Sequence, residues 1–280
     1  MTTPQTAKRR LQGSRFELRT ESNDEINDSQ AEEIGHEGRW GFLHSEETGS
    51  AVDGPGVRVV FWTTGCEFRC QYCHNPDTWK LKHGRLVAAD DILEELGKYK
   101  DYLRLSGGGV TVSGGEPLVQ DRFVMNILRG ARAMGIHTAL DTNGFLGNKL
   151  SDDEIDQIDL FLLDIKSWDP ETHIRATAKP VEPVLAFARR LAERKRPIWV
   201  RFVLVPGLTD AEDNIEGVAR FAASLGNVER AEVLPFHQLG KFKWEQLGMD
   251  YQLSDTPTPS PEQVSNARAI FRKHGLFCPE

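Results

Sequence analysis

The sequence predicts an α/β protein built as a partial, laterally open (β/α)6 barrel. Six apolar segments rich in β-branched residues have the character of strands, amphipathic segments alternate with them, and each strand segment ends in polar or glycine-rich residues. The strand segments are 57–65, 109–117, 136–144, 160–167, 198–207 and 230–237. Strand followed by helix, repeated along a chain, requires parallel strands joined by right-handed crossovers.

The helical segments carry recognisable start and stop signals. Segment 151–158 opens with the Ser-x-x-Glu spacing of a capping box, and segment 260–275 begins with Ser-Pro and ends with Gly. The other helical segments are 90–100, 119–134, 181–194 and 210–224. Six strand–helix units are fewer than a closed eight-stranded barrel contains, so the open barrel is favoured and an open α/β sheet is the alternative.

Composition limits the possible functions of the chain. At 280 residues and 39% hydrophobic, the chain is long enough to bury a sizeable core, and its formal net charge of −8 argues against a nucleic-acid surface. No apolar run approaches the roughly 18 residues of a membrane helix, and the N-terminal sequence MTTPQTAKRRLQGSR lacks the apolar stretch of a signal peptide. We therefore expect a cytoplasmic monomer without a nucleic-acid or membrane partner.

Residues 1–36 differ in composition from the rest of the chain. The stretch TESNDEINDSQAEEIGHEG is charged and polar, and it has too few apolar residues to offset the entropy cost of ordering it. We expect 1–36 to be a disordered extension and 37–280 to form the folded domain.

Three of the four cysteines lie in FWTTGCEFRCQYCHNPDTW, residues 61–79. In a reducing compartment, thiols clustered as Cys66, Cys70 and Cys73 indicate metal binding or catalysis before a disulfide. A structural zinc site normally takes four protein ligands, whereas a 4Fe-4S cluster held by three thiolates leaves one iron open to a substrate. A zinc site and incidental core thiols are the alternatives.

The cysteine spacing, with an aromatic residue before the last cysteine, resembles the cluster motif of the radical S-adenosylmethionine superfamily. The segments DGPGVR, SGGEPL, DTNG, LLDIK, VPGLTD and LPFHQLGKFKW are similar, in order and spacing, to the activating enzymes of glycyl radical enzymes within it, over roughly residues 40–275. The resemblance implies a partial (β/α)6 barrel with a 4Fe-4S cluster on the three cysteines and S-adenosylmethionine as cofactor.

The resemblance also assigns residues to S-adenosylmethionine. It places the SGGEP segment at the methionyl amino group, Lys166 at the methionine carboxylate and His237 at the adenosine. The full set is Tyr72, Cys73, His74, Gly114, Gly115, Glu116, Asp164, Ile165, Lys166 and His237. The alternatives are a tight turn after the strand for SGGEP and a structural histidine for His237.

Two carboxylates at the ends of predicted neighbouring strands suggest a bound cation. Asp141 and Asp164 would share a partly buried region, where two like charges are costly without a cation. The resemblance implies a monovalent cation held by Asp141, Thr142 and Asp164. A surface ion pair between Asp164 and Lys166 is the alternative.

A second set of residues is expected to meet a polypeptide substrate. The Gly-Pro-Gly of AVDGPGVR makes a turn that presents Asp53, and the resemblance implies that Asp53 accepts hydrogen bonds from a glycine-containing peptide, with His74 near the same groove. Arg201 lies inside an apolar strand, where an unpaired charge would be costly. We expect Arg201 to contact cofactor or peptide, and a buried structural ion pair is the alternative. For Asp53 the alternative is a plain turn without a binding role.

The activity implied by the resemblance is the activation of pyruvate formate-lyase. S-adenosylmethionine is cleaved reductively to 5′-deoxyadenosine and methionine, flavodoxin or ferredoxin donates the electron, and the partner receives a glycyl radical. An activase of another glycyl radical enzyme is one alternative, although many of these carry further cysteines in an insertion and this chain has four in total. A non-enzymatic zinc-binding module is the alternative from a different class.

Overall fold

The computed structural model describes residues 7–8, 18–21 and 26–280, which fall into two structural units. The first unit lies within Met1–Cys66, Thr78–Thr142 and Lys149–Leu160, and the second comprises Glu67–Asp77, Asn143–Asn148 and Phe161–Glu280. The six predicted strands are all present, divided between the units.

The first unit contains a mixed sheet. Its strands are β1 (Ala7–Lys8), β2 (Arg19–Glu21), β3 (Trp40–Ser50), β4 (Arg58–Thr63), β5 (Arg85–Ala88), β6 (Gly109–Gly114) and β7 (His137–Thr142). They are hydrogen-bonded in the order β1-β2-β5-β3-β4-β6-β7, and β4, β6 and β7 are parallel while the other pairs are antiparallel. The antiparallel strands β3 and β5 extend the sheet beyond the predicted strands.

Helices of the first unit pack their apolar residues inward. They are α1 (Asp28–Glu37), α2 (Ala89–Gly97), α3 (Lys100–Leu105), α4 (Asp121–Ala133) and α5 (Asp152–Ile155). Phe123 of α4 is fully buried against Gly41 of β3, where a side chain would overlap the phenyl ring. Gly130 of α4 packs in the same way on Leu93 of α2. Small residues therefore set the close approach of α4 to its neighbours.

The expected disorder of 1–36 does not hold over its last residues. Helix α1 begins at Asn27, whose side chain forms a reciprocal capping box with Gln30, and Ala31 is fully buried beside Phe42 and Leu86. A few apolar residues on one helix face are enough to order this stretch because β3 and β5 offer a surface for them. Within residues 1–25 the structure describes 7–8 and 18–21, where β1 and β2 lie in the sheet, so disorder stays a prediction for the other residues of this stretch.

The second unit contains a parallel sheet. Strands β8 (Leu160–Asp164), β9 (Ile198–Leu204) and β10 (Val228–Pro235) pair in that order. The accompanying helices are α6 (Pro170–Thr177), α7 (Glu182–Glu193), α8 (Glu212–Leu225), α9 (Lys241–Gln246) and α10 (Pro261–Lys273). The four residues from Leu160 to Leu163 are all buried, as expected for a parallel strand covered on both faces.

The parallel strands end beside the residues predicted to be functional. In the first unit they end at Thr63, Gly114 and Thr142, and in the second unit at Asp164, Leu204 and Pro235. Ligands of parallel α/β sheets bind at these carboxyl ends. Among the described helices, none combines the length and apolar character needed to cross a membrane.

Candidate functional site

In the first unit, the SGGEP segment continues the pairing of β4 with β6 beyond the strand ends. The Gly115 amide donates to the Thr63 carbonyl at 2.9 Å, and the Glu116 amide donates to the Gly65 carbonyl at 2.7 Å. Gly114 has a φ of +136°, and a Cβ there would overlap the backbone of Thr63. Gly114 and Gly115 are therefore required by the close approach of their backbone to that of Thr63 and Gly65, whether or not a ligand is bound.

Carboxylates of the first unit bond to neighbouring hydroxyls. Glu116 is fully buried, and its Oε1 accepts hydrogen bonds from the Thr142 hydroxyl at 2.7 Å and from the Leu118 amide at 3.0 Å. The Ser113 hydroxyl donates to Asp141 Oδ2 at 2.7 Å. These bonds join the carboxyl ends of β6 and β7 in two separate pairs, Glu116 with Thr142 and Asp141 with Ser113, a residue that the structure adds.

In the second unit, the cysteine loop is bonded to the end of helix α6. The Arg69 amide donates to the Thr177 carbonyl at 2.8 Å, and the Gln71 amide donates to the Ala176 carbonyl at 2.9 Å. The last carbonyls of a helix have no partner within the helix, so these bonds satisfy both elements at once. The buried ring of Phe68 packs edge-on against His173 of the same helix.

Cys70 and Cys73 are joined by a tight turn, in which the Cys73 amide donates to the Cys70 carbonyl at 3.1 Å. Burial raises the pKa of the Cys70 thiol to about 12, although the Lys166 ammonium opposes this shift. A thiol in this state gives up its proton when a metal takes its place. Cys66, the first-unit member of the motif, is partly exposed, and its amide donates to the Trp79 carbonyl at 3.3 Å.

The strand end at Asp164 carries a largely buried ion pair. Lys166 Nζ lies 2.7 Å from Asp164 Oδ2, with 12% of the lysine side chain exposed. Burial is the largest single influence and lowers the pKa of Lys166, but the Asp164 carboxylate together with Tyr72 and Cys70 outweighs it, so the pKa rises and Lys166 stays a cation. The ion pair proposed as the alternative for these residues is therefore present, although it is buried and not on the surface.

Tyr72 has a buried hydroxyl that finds no hydrogen-bond partner within the described part of the chain. Its ring lies 5.8 Å from Lys166 Nζ, and burial raises the pKa of the phenol, which stays neutral. A buried polar group without a partner is unusual in a folded protein. This hydroxyl is a position where a bound molecule would supply the missing hydrogen bond.

The two predicted histidines of the second unit are in contact. The rings of His74 and His237 stack with centroids 4.2 Å apart, and His74 Nε2 lies 3.3 Å from the His237 carbonyl oxygen. The segment after β10 packs on the cysteine loop: Trp244 Nε1 donates to the Cys73 carbonyl at 2.9 Å, and Lys243 binds Asn75 and Asp77.

Arg201 and Ile165 take structural positions in the sheet of the second unit. Arg201 Nε lies 3.6 Å from Glu232 Oε2, its register partner on β10, which supports the ion-pair alternative. Ile165 is fully buried, and its amide donates to the Arg201 carbonyl at 3.0 Å. A role of either residue toward cofactor or peptide stays a prediction.

Neither the predicted cluster nor the predicted cation finds a preformed site among the described residues. No three His, Cys, Asp or Glu side chains of that part of the chain are arranged to hold a metal ion, and this applies to Cys66, Cys70 and Cys73 as well as to Asp141 and Asp164, so both sites stay predictions. By donor chemistry alone, three soft thiols within eight residues match the ligands of a 4Fe-4S cluster.

The sequence prediction missed Phe68, His173, Thr177 and Trp244. These residues support the cysteine loop from helix α6 and from the segment after β10. Trp244 lies in the KFKW stretch, which is part of the resemblance, and that stretch is the sequence signal by which Trp244 could have been identified. His173 lies in a helix that was not predicted.

Comparisons with known proteins define the family. Residues 60–221 match the Radical SAM superfamily. The chain is 46% identical over 242 residues to the pyruvate formate-lyase-activating enzyme of Staphylococcus epidermidis, covering 84% of this chain and 96% of that protein. It is 47% identical over 234 residues to the enzyme of the same name from Staphylococcus aureus strain USA300, covering 81% and 93% respectively.

Solved structures agree with this assignment. A domain of a pyruvate-formate lyase-activating enzyme from Bacteroides vulgatus superposes with a TM-score of 0.52 at 34% identity, covering 62% of this chain and 98% of that domain. Streptococcus suis SuiB bound to its precursor peptide SuiA superposes with a TM-score of 0.61 at 17% identity, over 81% of this chain and 49% of SuiB, which shows the fold alone.

The chain therefore belongs to the radical SAM superfamily, and within it to the pyruvate formate-lyase-activating enzymes. The predicted fold class, an α/β protein with a partial, open barrel, is confirmed by these matches. The predicted family and the prediction of a radical SAM enzyme are confirmed as well.

Proposed function

We propose that this protein generates a glycyl radical on pyruvate formate-lyase by cleaving S-adenosylmethionine reductively at a 4Fe-4S cluster. The observation that carries the proposal is the cysteine loop: three thiols at the superfamily spacing, with Cys70 and Cys73 in a loop bonded to helix α6 and to Trp244. The identity to named activating enzymes over nearly their whole length supports the partner.

Cys66, Cys70 and Cys73 would hold the cluster. The hydrogen bonds from Arg69 and Gln71 to helix α6 fix the loop backbone before any metal binds, which lowers the entropy cost of organising the thiols. When bound, the cluster and S-adenosylmethionine supply a one-electron cleavage that yields methionine and 5′-deoxyadenosine and removes one hydrogen atom from the partner's glycine.

The residues of this chain bind and orient the cofactor. Lys166 offers a fixed cation for the methionine carboxylate, and the hydroxyl of Tyr72 offers a hydrogen bond that no described residue uses. His237 would contact the adenosine, with His74 stacked behind it. We assign the amino group to the backbone of Gly114, Gly115 and Glu116, and a monovalent cation to Asp141, Thr142 and Asp164.

The partner proteins are proposed from the same argument. Asp53 would accept hydrogen bonds from the glycine-containing segment of pyruvate formate-lyase, near His74, and flavodoxin or ferredoxin would donate the electron. A cytoplasmic location suits thiols that must remain reduced to bind iron.

The test is a labelling experiment under anaerobic conditions. The reduced, iron-loaded protein is mixed with S-adenosylmethionine and pyruvate formate-lyase whose glycines are deuterated at the α carbon. We expect one deuterium in each 5′-deoxyadenosine formed and a glycyl radical signal by electron paramagnetic resonance. Deoxyadenosine without deuterium would leave the cofactor cleavage in place and overturn the partner.

A further inference from the structure

A buried guanidinium lies beneath the Asp53 loop, residues 51–57, in the first unit. Arg58, the first residue of β4, is fully buried, which is costly for a cation unless its hydrogen bonds are made. Its Nε donates to the Thr111 hydroxyl at 3.0 Å, its Nη2 to the Val110 carbonyl at 2.5 Å, and its Nη1 to the Pro55 carbonyl at 3.4 Å.

A fourth contact fixes the state of a neighbouring histidine. Arg58 Nη1 lies 3.1 Å from His137 Nδ1, and since a guanidinium only donates, Nδ1 must accept and His137 must be neutral. Burial lowers the pKa of Arg58 to about 10, and the Asp159 and Asp53 carboxylates oppose this shift. Arg58 therefore remains charged at neutral pH and ties the loop to the neighbouring strands.

Thr111 of β6 links the guanidinium to Asp53. Its hydroxyl accepts from Arg58 Nε and donates to the Asp53 carbonyl oxygen at 2.6 Å. The Asp53 carboxylate is held separately, because the Ser50 hydroxyl donates to its Oδ2 at 2.6 Å. The backbone of Asp53 is therefore positioned by Thr111 and its side chain by Ser50.

The loop also lies directly on the triple glycine at 107–109. A Cβ at Gly56 would overlap the Gly107 backbone, and a Cβ at Gly108 would overlap the Val57 carbonyl. Backbone packed on backbone leaves the loop little freedom, so its shape is set before a partner arrives. The glycine run, which the proposed function does not use, is explained by this contact.

We infer that Arg58 and Thr111 are positioning residues, which hold the Asp53 loop in the shape that receives the glycine-containing segment of the partner protein. The inference rests on the proposed function. It adds to that function a reason for a fully buried arginine and for the three consecutive glycines.

The test uses Thr111→Val, which keeps the size of the side chain and removes the hydroxyl, in the iron-loaded full-length protein. We expect KM for pyruvate formate-lyase to rise about three- to tenfold, as for one lost hydrogen bond, while kcat changes less than about twofold. Hydrogen exchange of the amides at 51–57 should be faster than in the parent protein. Arg58→Lys cannot form the same set of hydrogen bonds, so it should also raise KM and speed hydrogen exchange at 51–57. This variant replaces Thr111→Val in the test if Thr111→Val folds poorly.

Thr138→Val is the matched control. Thr138 is a fully buried threonine on the neighbouring strand β7, and within the described part of the chain its hydroxyl bonds to Asp159 and forms no hydrogen bond with the Asp53 loop. This variant should leave KM for the partner unchanged. An equal rise of KM in Thr138→Val would overturn the inference, because general destabilisation would then explain the effect.

A double variant separates this inference from the proposed function. If Thr111 acts through Asp53, adding Thr111→Val to Asp53→Ala should raise KM no further. An additional rise of KM in the double variant would overturn the inference and leave the proposed function standing. The same conclusion would follow if Asp53→Ala raised KM and Thr111→Val alone left it unchanged. An unchanged KM in Asp53→Ala would remove Asp53 from the proposed peptide site, and the inference with it.

Discussion

The carboxyl ends of the parallel strands bury polar groups differently in the two units. In the first unit, Asp141 and Glu116 bond to the hydroxyls of Ser113 and Thr142. In the second unit, Asp164 is paired with an ammonium and the hydroxyl of Tyr72 is buried without a described partner. The first arrangement consists of ordinary hydrogen bonds, while the second contains a hydroxyl that no described residue satisfies and that a bound molecule would satisfy.

This difference indicates which buried polar groups depend on a bound ligand for their hydrogen bonds. A buried polar group without a hydrogen bond costs about 1–3 kcal/mol, so a protein that keeps one forgoes stability in its free form. The hydrogen bonds at the strand ends of the first unit should therefore form without a ligand, whereas the hydroxyl of Tyr72 in the second unit should gain its hydrogen bond when the cofactor binds. Substitutions in the two units can break or sharpen this distinction.

The largest expected effect is on the thiols of the second unit. Cys70→Ala and Cys73→Ala should each lose most of the bound iron after anaerobic reconstitution, because a cluster ligand is removed. Iron and sulfide analysis measures this. Cys278→Ser is the control, since Cys278 is buried beside β10 in the C-terminal segment and should retain iron. Iron lost from Cys278→Ser and retained in Cys70→Ala would reverse the ligand assignment.

The next effect is on cofactor affinity. Lys166→Ala and His237→Ala should each weaken S-adenosylmethionine binding by about 1–3 kcal/mol without loss of iron, as measured by titration calorimetry. Lys149→Ala of the first unit is the matched control, because Lys149 also pairs with an aspartate, Asp121, but in a more exposed position. Equal loss of affinity in the control would exclude a specific role for Lys166.

A smaller effect compares two hydroxyls directly. Tyr72→Phe should raise the free energy of unfolding of the cofactor-free protein by about 1 kcal/mol, because it removes a buried hydroxyl that has no partner among the described residues. Ser113→Ala should lower it by a similar amount, since a bond to Asp141 is lost. Chemical denaturation with and without S-adenosylmethionine measures both, and the gain of Tyr72→Phe should vanish when the cofactor is present. Destabilisation by Tyr72→Phe without cofactor would contradict the comparison.

The smallest effect is the pH dependence of stability. Burial lowers the pKa of His137 in the first unit, and the adjacent Arg58 cation lowers it further. The unfolded chain then binds this proton more readily than the folded chain does, so stability is retained above about pH 6.5, the ordinary histidine pKa, and falls as the pH drops below it. His137→Gln should reduce this loss in urea unfolding measured between neutral and mildly acidic pH. An unchanged pH profile would show that His137 does not contribute.

Strands β4, β6, β7 and β8 could be predicted because each is an apolar run with most of its residues buried, a property that depends on few distant contacts. Strand β9 instead alternates buried and half-buried residues, and β10 is buried at only two of its eight positions. Helix α6 could not be predicted, since PETHIRAT has few apolar residues and its start depends on the Asp169 side chain accepting from the Thr172 amide. Helix α1 was expected to be disordered because its composition is polar, and only the surface offered by Phe42 and Leu86 orders it.

The candidate site was predictable where one segment carries the signal. The cysteine spacing and the SGGEP turn are local features, so their residues were identified directly. The stacking of His74 on His237 and the bond from Trp244 to Cys73 join residues more than 150 positions apart in the chain. No local pattern encodes such contacts. Arg58 and Asp53 are close in the sequence, but the link between them passes through Thr111, which lies 53 positions from Arg58 and 58 from Asp53.

The two contacts that hold the cysteine loop come from residues that are synthesised long after the loop itself. Cys73 leaves the ribosome well before Thr177 and Trp244, whose backbone and side chain hold the loop in the finished protein. A nascent chain would therefore present three reduced thiols on a segment that still lacks both of its supports. We therefore expect cluster loading to follow the synthesis of Trp244, because both supports of the loop are present only then.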